Sequence, residues 1–299
     1  MNLVAYNDTK ISKFSLGTVQ FGLDYGIANS SGKPAQEDVN KIIHYVSQNG
    51  INCFDTAQAY GNSEEVLGKA LKNIINPYVI SKFKSDVFYD DLTNGVDCSL
   101  KNLKTNTLYA LLLHDSDPLY RWKEGYSLSI KSLIDGGKIK YFGVSIYSTE
   151  DFNLAIRNDS INIIQIPFNI FDQRALKENW FEKAKEKNKL IFIRSVYLQG
   201  LLLMQKDQLP NHLESAKVYI EKLEALSNKL IISRNELALN FVNSVSGDSV
   251  ILFGCDSLSQ AKENINIFNN LEFLDNTVIN KIKNDFNNID ESIFNPTKW

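Results

Sequence analysis

Cysteine and histidine are both scarce in this chain of 299 residues, which holds three of each. The cysteines are widely separated and odd in number, so we expect no framework of disulfide bonds. No two histidines lie close together in the sequence, which argues against a histidine-rich metal site, and we predict no bound metal. These shortages exclude small disulfide-stapled proteins, and the chain is long enough to bury a large core.

The chain also lacks an excess of charge of either sign. It has 32 Lys and Arg residues and 35 Asp and Glu residues, which leaves a net charge of -3. A chain without basic runs is not expected to bind nucleic acid or an anionic membrane. No apolar stretch approaches the roughly 20 residues that a membrane-spanning helix needs, and the opening MNLVAYNDTK lacks the order of a signal peptide. We therefore predict a cytoplasmic protein whose partner is a small molecule, with the oligomeric state left open.

What is present is a regular alternation of short apolar runs with amphipathic segments. The apolar runs typical of buried strands cover 14–18, 51–54, 78–80, 108–113, 141–144, 161–166, 190–193 and 250–253. About eight strands, each followed by a helix, predict a parallel (β/α)8 TIM barrel. A doubly wound open sheet is the alternative, because periodicity alone does not show closure. No linker interrupts the pattern, so we predict a single domain over 1–299 with a C-terminal helical segment from about residue 270.

Ionisable side chains follow three successive predicted strands. Asp55, Lys82 and His114 come after these strands, and Tyr60 lies in the loop beyond Asp55. Each alone has an ordinary structural explanation, such as a turn cap or a solvated loop residue. Together they suggest acid–base chemistry, since a lysine kept charged by a carboxylate favours ionisation of a nearby tyrosine. We expect a lowered pKa for Tyr60, which then protonates a developing alkoxide while His114 orients the carbonyl.

The motifs around these residues resemble those of the aldo/keto reductases. The resembling segments are DTAQAYGNSEEVLG (55–68), SKF (81–83), LLLHD (111–115), GVS (143–145), LGTVQFG (16–22) and GCDSLSQAKEN (254–264). They occur in the family's order over about 14–268. The resemblance implies NAD(P)H-dependent reduction of an aldehyde or ketone by a catalytic tetrad of Asp55, Tyr60, Lys82 and His114, with the cofactor bound without a Rossmann domain.

The same resemblance implies the cofactor contacts. From the nicotinamide to the adenine these are Thr18, Ser145, Gln165, Arg194, Ser195, Gln199, Gly200, Gly254, Cys255, Ser257, Gln260, Glu263 and Asn264. Ser145 and Gln165 match the positions that hold the carboxamide, and Glu263 and Asn264 match adenine contacts. The helix predicted after this last loop offers a positive dipole end for phosphate.

This sequence departs from the family pattern at the cofactor. The basic residues that often hold the 2'-phosphate of NADP are absent at Gln260 and near Gly254. NADP is therefore expected only because the family commonly uses it, and NAD is the alternative. Arg194 stands where many members place an aromatic residue against the nicotinamide. It either pairs with a carboxylate, stacks on the nicotinamide and favours the reduced cofactor, or binds an anionic group of the substrate.

Two other functions remain open from the residues. A Schiff-base lyase would use Lys82 as its nucleophile, and some proteins of this fold act mainly as cofactor-sensing regulatory subunits. The presence of all four tetrad residues favours the reductase. The segments LGTVQFGLDYGIAN (16–29) and RSVYLQGLL (194–202) look similar to family members of bacterial surface-sugar metabolism, which suggests a sugar-derived carbonyl substrate.

Overall fold

The computed structural model describes residues 2–27, 29 and 32–299. Before the barrel the chain forms an antiparallel hairpin of β1 (Leu3–Tyr6) and β2 (Thr9–Ser12). The barrel strands are β3 (Phe14–Gly17), β4 (Cys53–Asp55), β5 (Tyr78–Phe83), β6 (Leu108–Leu113), β7 (Ile139–Ser145), β8 (Ile163–Pro167), β9 (Leu190–Arg194) and β10 (Val250–Gly254). These eight strands pair in parallel and close, with β10 next to β3. The predicted barrel is confirmed and the open sheet is excluded.

Helices surround the barrel. They are α1 (Gln36–Gln48), α2 (Ser63–Ala70), α3 (Ser85–Asp90), α4 (Leu92–Leu103), α5 (Asp117–Tyr120), α6 (Glu124–Asp135), α7 (Thr149–Arg157), α8 (Arg174–Lys177), α9 (Trp180–Glu186), α10 (Lys217–Leu230), α11 (Arg234–Val245), α12 (Leu258–Asn269), α13 (Asn276–Asp285) and α14 (Glu291–Phe294). Short 3-10 turns lie at Val19–Phe21, Leu71–Asn73, Leu198–Leu203, Lys206–Gln208, Asn211–Ala216 and Pro296–Lys298. Within the described residues, no helix is long and apolar enough to cross a membrane.

The main core lies between the strands and the helices. Apolar residues of α1 that recur at helical spacing are all buried, namely Val39, Ile42, Ile43 and Val46. The Phe14 ring of β3 stacks on Phe268 of α12 with centroids 3.7 Å apart, which joins the first strand to the helix that follows the last one. Because each buried aromatic side chain contributes roughly 1.5–3 kcal/mol by its transfer from water, such contacts hold the barrel closed.

The N-terminal hairpin closes the amino-terminal end of the barrel, a feature that the sequence analysis did not predict. Tyr6 of the hairpin packs against Tyr141, with ring centroids 5.1 Å apart, and Tyr141 packs against Tyr109 at 5.2 Å. The Tyr6 hydroxyl donates to the carbonyl oxygens of Asn162 and Asn188, which precede β8 and β9. These three tyrosines form an aromatic floor, so ligands reach the barrel interior from its carboxyl-terminal mouth.

One close approach at the mouth depends on glycine. A Cβ atom added to Gly22, in the turn after β3, would lie 1.7 Å from the carbonyl oxygen of Tyr60. Gly61 has a φ of 57°, a conformation that other residues adopt at a cost. The two glycines therefore allow the loop after β4 to pack against the turn after β3, which sets the position of Tyr60.

Candidate active site

A cleft of about 420 Å³ opens at the carboxyl ends of the barrel strands. This is the end of a parallel barrel at which catalytic groups collect. Of the predicted site residues, those that line the cleft are Thr18, Asp55, Tyr60, His114, Ser145, Gln165, Arg194, Ser195, Gln199, Gly200, Gly254, Gln260, Glu263 and Asn264. Lys82, Cys255 and Ser257 do not line it. The structure therefore brings most of the predicted residues together.

Lys82 lies beneath the cleft and bonds to Asp55. Its Nζ donates to Asp55 Oδ1 at 2.6 Å and to the Thr56 carbonyl oxygen at 2.8 Å, and both charged side chains are buried. Lys82 reaches this point because Asp55 pairs with Ile80 on the next strand, and Lys82 lies two residues beyond Ile80 on the same face. Burial by itself disfavours the ammonium, but the charge of Asp55 and the hydrogen bonds to Asp55 and Tyr60 outweigh it and raise the pKa of Lys82. The ammonium therefore stays charged.

Tyr60 extends its hydroxyl toward the same ammonium. Lys82 Nζ lies 3.5 Å from Tyr60 Oη and 5.0 Å from the ring centroid. Burial raises the pKa of Tyr60 and Asp55 raises it further, whereas Lys82 and Arg194 lower it by less. The expectation of a lowered pKa is therefore wrong for the net effect, although Lys82 acts in the expected direction. The cost of burying a phenolate exceeds the attraction of the ammonium, so the phenol keeps its proton.

His114 stands edge-on to Tyr60. The two rings are 5.4 Å apart with an interplanar angle of 82°. Burial, together with the positive charges of Lys82, Arg194 and Lys84, lowers the pKa of His114 to about 3. Its Nδ1 is buried and has no hydrogen-bond partner in the described part of the chain. His114 is therefore a neutral imidazole at physiological pH.

Two predicted nicotinamide contacts are also bonded to Asp55. Gln165 Nε2 donates to Asp55 Oδ2 at 2.9 Å, and Thr18 Oγ1 donates to the Asp55 carbonyl oxygen at 3.0 Å. Ser63 Oγ donates in turn to Thr18 Oγ1 at 2.9 Å. Gln165 and Thr18 thus help to position the Asp55–Lys82 pair and line the cleft at the same time.

Arg194, at the end of β9, projects into the cleft. Its Nη2 donates to the Ile146 carbonyl oxygen at 3.0 Å and its Nη1 to Ser195 Oγ at 3.3 Å, while Cζ lies 4.0 Å from the centroid of the Tyr147 ring. Across residues 2–27, 29 and 32–299, it forms no ion pair with a carboxylate. Of the three alternatives for Arg194, the ion pair with a carboxylate is therefore absent from this part of the chain, and the side chain is held by backbone, hydroxyl and aromatic groups instead.

The segment that follows β9 has an unusual backbone. Positive φ angles occur at Ser195 (63°), Leu198 (49°), Gln199 (55°) and Gly200 (98°). Such angles cost free energy in residues other than glycine and recur at ligand-binding sites. Asn169 Nδ2 donates to the Ser195 carbonyl oxygen at 3.0 Å and helps to hold this turn, which forms one wall of the cleft.

The far end of the cleft, formed by the loop after β10 and by α12, is acidic. Asp256 and Glu263 line it, and no lysine or arginine lines this end among the described residues. Asp256 Oδ1 is buried without a hydrogen-bond partner there, and so is Oε1 of Gln20, which faces Gly254. Two buried acceptor oxygens inside a cleft are suited to accept hydrogen bonds from a bound ligand.

Two predicted contacts at this end have other roles. Cys255 is 1% exposed and belongs to the hydrophobic core. Ser257 Oγ accepts a hydrogen bond from the Gln260 backbone and caps the N-terminus of α12. Their side chains therefore support the loop, because Cys255 packs into the core beneath it and Ser257 caps the helix that follows it.

Some cleft residues were not identified from the sequence. These are Gln20, Tyr147, Tyr197, Asn235 and Asp256, together with apolar residues of the same loops. Gln20 and Asp256 lie inside the family-like motifs, which was the available signal. Tyr197 lies inside the family-like segment RSVYLQGLL (194–202), whereas Tyr147 had no such signal. The fold brings Tyr197 Oη to 3.4 Å from Asn264 Oδ1.

The cleft fits a dinucleotide with a nicotinamide at one end. It is a single groove that runs from the Asp55, Tyr60 and His114 cluster, past the positive-φ turn, to Asn264 on α12. Its unpartnered oxygens on Gln20 and Asp256 suit the hydroxyl groups of a ribose, which are hydrogen-bond donors. In the described part of the chain, no cluster of side chains suits a metal ion.

Comparison with known proteins agrees with this architecture. The sequence model of the Aldo/keto reductase family matches residues 13–284. The aldo-keto reductase YhdN of Bacillus subtilis (strain 168) is 28% identical over 236 residues, which cover 71% of this chain and 69% of that protein. The NADH-specific methylglyoxal reductase of Escherichia coli (strain K12) is 23% identical and covers 92% of this chain and 95% of its own length.

Solved structures show the same fold. A glycerol dehydrogenase from Gluconobacter oxydans has a TM-score of 0.76 at 22% identity and covers 97% of this chain and 98% of its own. An aldo-keto reductase from Bacillus halodurans in its holo form has a TM-score of 0.75 at 19% identity, with 100% and 99% covered. Since the family model spans most of a closed (β/α)8 barrel, the chain belongs to the aldo/keto reductase family and is an NAD(P)H-dependent oxidoreductase.

Proposed function

We propose that this enzyme reduces an aldehyde or ketone to the alcohol with Tyr60 as the proton donor, and that the carbonyl is sugar-derived. The observation that carries the proposal is the buried Asp55–Lys82 pair directly beneath the Tyr60 hydroxyl, next to a neutral His114. A bound nicotinamide cofactor supplies the hydride. The protein's own residues must then hold the carbonyl and deliver one proton to its oxygen.

Tyr60 suits the proton delivery because it is protonated before the reaction and stabilised after it. Its raised pKa keeps the phenol neutral at physiological pH. When the proton moves to the developing alkoxide, the phenolate that remains lies 3.5 Å from the Lys82 ammonium. That interaction is strongest when the negative charge has formed, which is the condition for lowering the barrier.

His114 suits the binding of the carbonyl oxygen. With its pKa at about 3, the imidazole is neutral and carries one N–H. The unpartnered Nδ1 favours the tautomer with the proton on Nε2, since a buried N–H without an acceptor costs more than a buried lone pair. A neutral imidazole orients the carbonyl without competing with Tyr60 as the acid.

The lyase alternative is disfavoured by the state of Lys82. A Schiff base requires an accessible, neutral amine. Lys82 is 1% exposed and its pKa is raised by Asp55, so it is both covered and protonated.

The sugar-derived substrate is supported by the motifs around 16–29 and 194–202. It is also supported by Tyr25 and Tyr147, which line the cleft and whose rings suit the apolar face of a sugar.

The test follows oxidation of NADPH or NADH across a panel of aldoses, deoxyketosugars and simple aldehydes. We expect Tyr60→Phe to lower kcat/KM by about 10²–10⁴-fold, the usual worth of a positioned general acid, while cofactor affinity is unchanged. Tyr45→Phe on α1 makes the same change far from the cleft and should retain full activity. A loss below roughly tenfold for Tyr60→Phe would assign the proton to another group, and no turnover by wild type on any carbonyl would favour a cofactor-sensing subunit.

A further inference from the structure

We propose that the carbonyl substrate also carries an anionic group, a carboxylate or a phosphate, which binds to Arg194. The inference names the substrate class of the reductase proposed above and rests on that function. It starts from a guanidinium that projects into the catalytic cleft without a carboxylate partner in the part of the chain that the structure describes.

Arg194 is held in place and still has N–H donors without a partner among the described residues. Two of its N–H groups bond to the Ile146 carbonyl oxygen and to Ser195 Oγ, and the guanidinium plane rests 4.0 Å from the Tyr147 ring. A guanidinium has five N–H donors, and its planar edge matches the oxygens of a carboxylate or phosphate. The remaining donors are therefore positioned before any ligand arrives.

The backbone of Tyr147, which carries the ring beneath Arg194, is held by two hydrogen bonds. Its backbone N–H donates to Asp151 Oδ2 at 3.2 Å, within the capping box that Ser148 and Asp151 form at the start of α7. Its carbonyl oxygen accepts a hydrogen bond from Arg174 Nη1. Because the backbone beneath the ring is anchored and Arg194 is itself hydrogen-bonded, less side-chain entropy is lost when the guanidinium binds a ligand.

The charges around the reacting groups do not balance. The Lys82 charge is matched by Asp55, Tyr60 is a neutral phenol and His114 is a neutral imidazole. Among the described cleft residues the other carboxylates, Asp256 and Glu263, lie at the opposite end on the loop after β10 and on α12. Arg194 therefore leaves a surplus positive charge, half-buried, in a protein whose overall charge is -3. A buried charge without a partner is unfavourable, and an anionic ligand relieves that cost.

Arg194 also lines the same cleft as Tyr60 and His114. The charge of Arg194 lowers the pKa of both Tyr60 and His114, so the guanidinium lies within electrostatic range of the two groups that meet the carbonyl. One small molecule can therefore place its carbonyl oxygen at Tyr60 and its anion at Arg194. The cofactor's own phosphates are the competing anions, and the test separates them.

The test compares substrates that differ only in charge. The probes are 4-formylbenzoate against 4-formylbenzamide, and glyceraldehyde 3-phosphate against glyceraldehyde, with wild type, Arg194→Met, Arg194→Lys and the remote control Arg157→Met. A charged hydrogen bond is worth roughly 1.5–3 kcal/mol. In at least one of the two pairs we therefore expect wild type to favour the charged probe over its neutral counterpart by about 10–100-fold in kcat/KM. Arg194→Met should bring that ratio close to one, Arg194→Lys should keep part of it, and Arg157→Met should not change it.

A binding measurement keeps this inference separable from the reductase proposal. Calorimetric titration of 4-(hydroxymethyl)benzoate and its amide into the cofactor complex of Tyr60→Phe requires no turnover. Preferential binding of the acid that is lost in Tyr60→Phe with Arg194→Met supports the anion site even if wild type reduces nothing. Equal binding of acid and amide, with equal turnover of the charged and neutral probes, overturns it. So does a result in which Arg194→Met weakens the cofactor and leaves the acid-to-amide ratio as in wild type.

Discussion

Gln165 donates a hydrogen bond to the Asp55 oxygen that Lys82 does not bind, at 2.9 Å. The Asp55 carboxylate is thus bound on both oxygens, by Gln165 Nε2 on Oδ2 and by Lys82 Nζ on Oδ1. Because Gln165 also lines the cleft, a residue on β8 couples the ion pair beneath the cleft to the surface on which a cofactor would rest. The geometry of the proton donor is therefore set by three strands together.

The buried ion pair leads to a prediction about stability. Asp55→Asn leaves Lys82 buried without a counter-charge, and loss of one partner of such a pair costs about 3–5 kcal/mol in the free energy of unfolding. Urea unfolding at neutral pH should show this loss. This loss of stability should become smaller as the pH rises toward 10, because Lys82, which has no counter-charge in the variant, then loses its proton. The double variant Asp55→Leu with Lys82→Met, which has neither charge, should recover much of the stability.

The same pair leads to a prediction about activity. Lys82→Met removes the charge that stabilises the Tyr60 phenolate, so kcat for reduction should fall more than in Asp55→Asn, where the lysine itself remains. Steady-state kinetics on both variants, with cofactor affinity measured separately, checks the order. A larger loss in Asp55→Asn would mean that the carboxylate acts on the reaction directly.

The low pKa of His114 leads to a prediction about pH. Since the folded protein holds this pKa at about 3, against 6.5 in the unfolded chain, the unfolded state binds the extra proton between those values. The contribution of His114 to stability is therefore complete above about pH 6.5 and is lost as the pH falls toward 3. Unfolding of His114→Gln should show less acid sensitivity than wild type, whereas His44→Gln on the exposed face of α1 should behave as wild type. A full transition in kcat/KM near pH 6.5 would show that His114 titrates normally.

The acidic end of the cleft leads to a prediction about cofactor choice. A 2'-phosphate bound at this end would find no lysine or arginine among the described residues that line it, and would lie near Asp256 and Glu263. We expect wild type to discriminate weakly between NADPH and NADH, and Asp256→Asn or Gln260→Arg to shift affinity toward NADPH. Removing one repulsive charge is worth about 1 kcal/mol, or roughly fivefold. Fluorescence titration measures both affinities, with the surface variant Asp248→Asn as the control. A strong wild-type preference for NADPH would reveal a cation outside the cleft lining that reaches the phosphate.

Much of the fold and most of the site were predictable from the sequence because their signals are local. Each apolar run marks a strand, and Asp55, Lys82 and His114 follow or end such runs, so parallel pairing alone collects them at the mouth. The hairpin was missed because β1 and β2 are only four residues each, which is too short for a clear pattern. Their position becomes evident only from the packing of Tyr6 against Tyr141, which in turn contacts Tyr109.

The remaining differences depend on the environment in three dimensions. The sign of the Tyr60 pKa shift is a balance between burial and the Lys82 charge, and sequence spacing does not measure burial. Among the described residues no carboxylate pairs with Arg194, and this depends on which loops reach the end of β9. The inward side chain of Cys255 depends on the packing of the core beneath the loop after β10.

The aromatic floor has a practical consequence for handling the enzyme. The β1–β2 hairpin packs against the amino-terminal end of the barrel. A tag or linker attached before Leu3 would therefore lie on the side of the barrel opposite to the cleft. If the protein is immobilised through that point on a sensor chip or a resin, the open mouth of the cleft faces the bulk solution. The support then does not hinder the exchange of substrate.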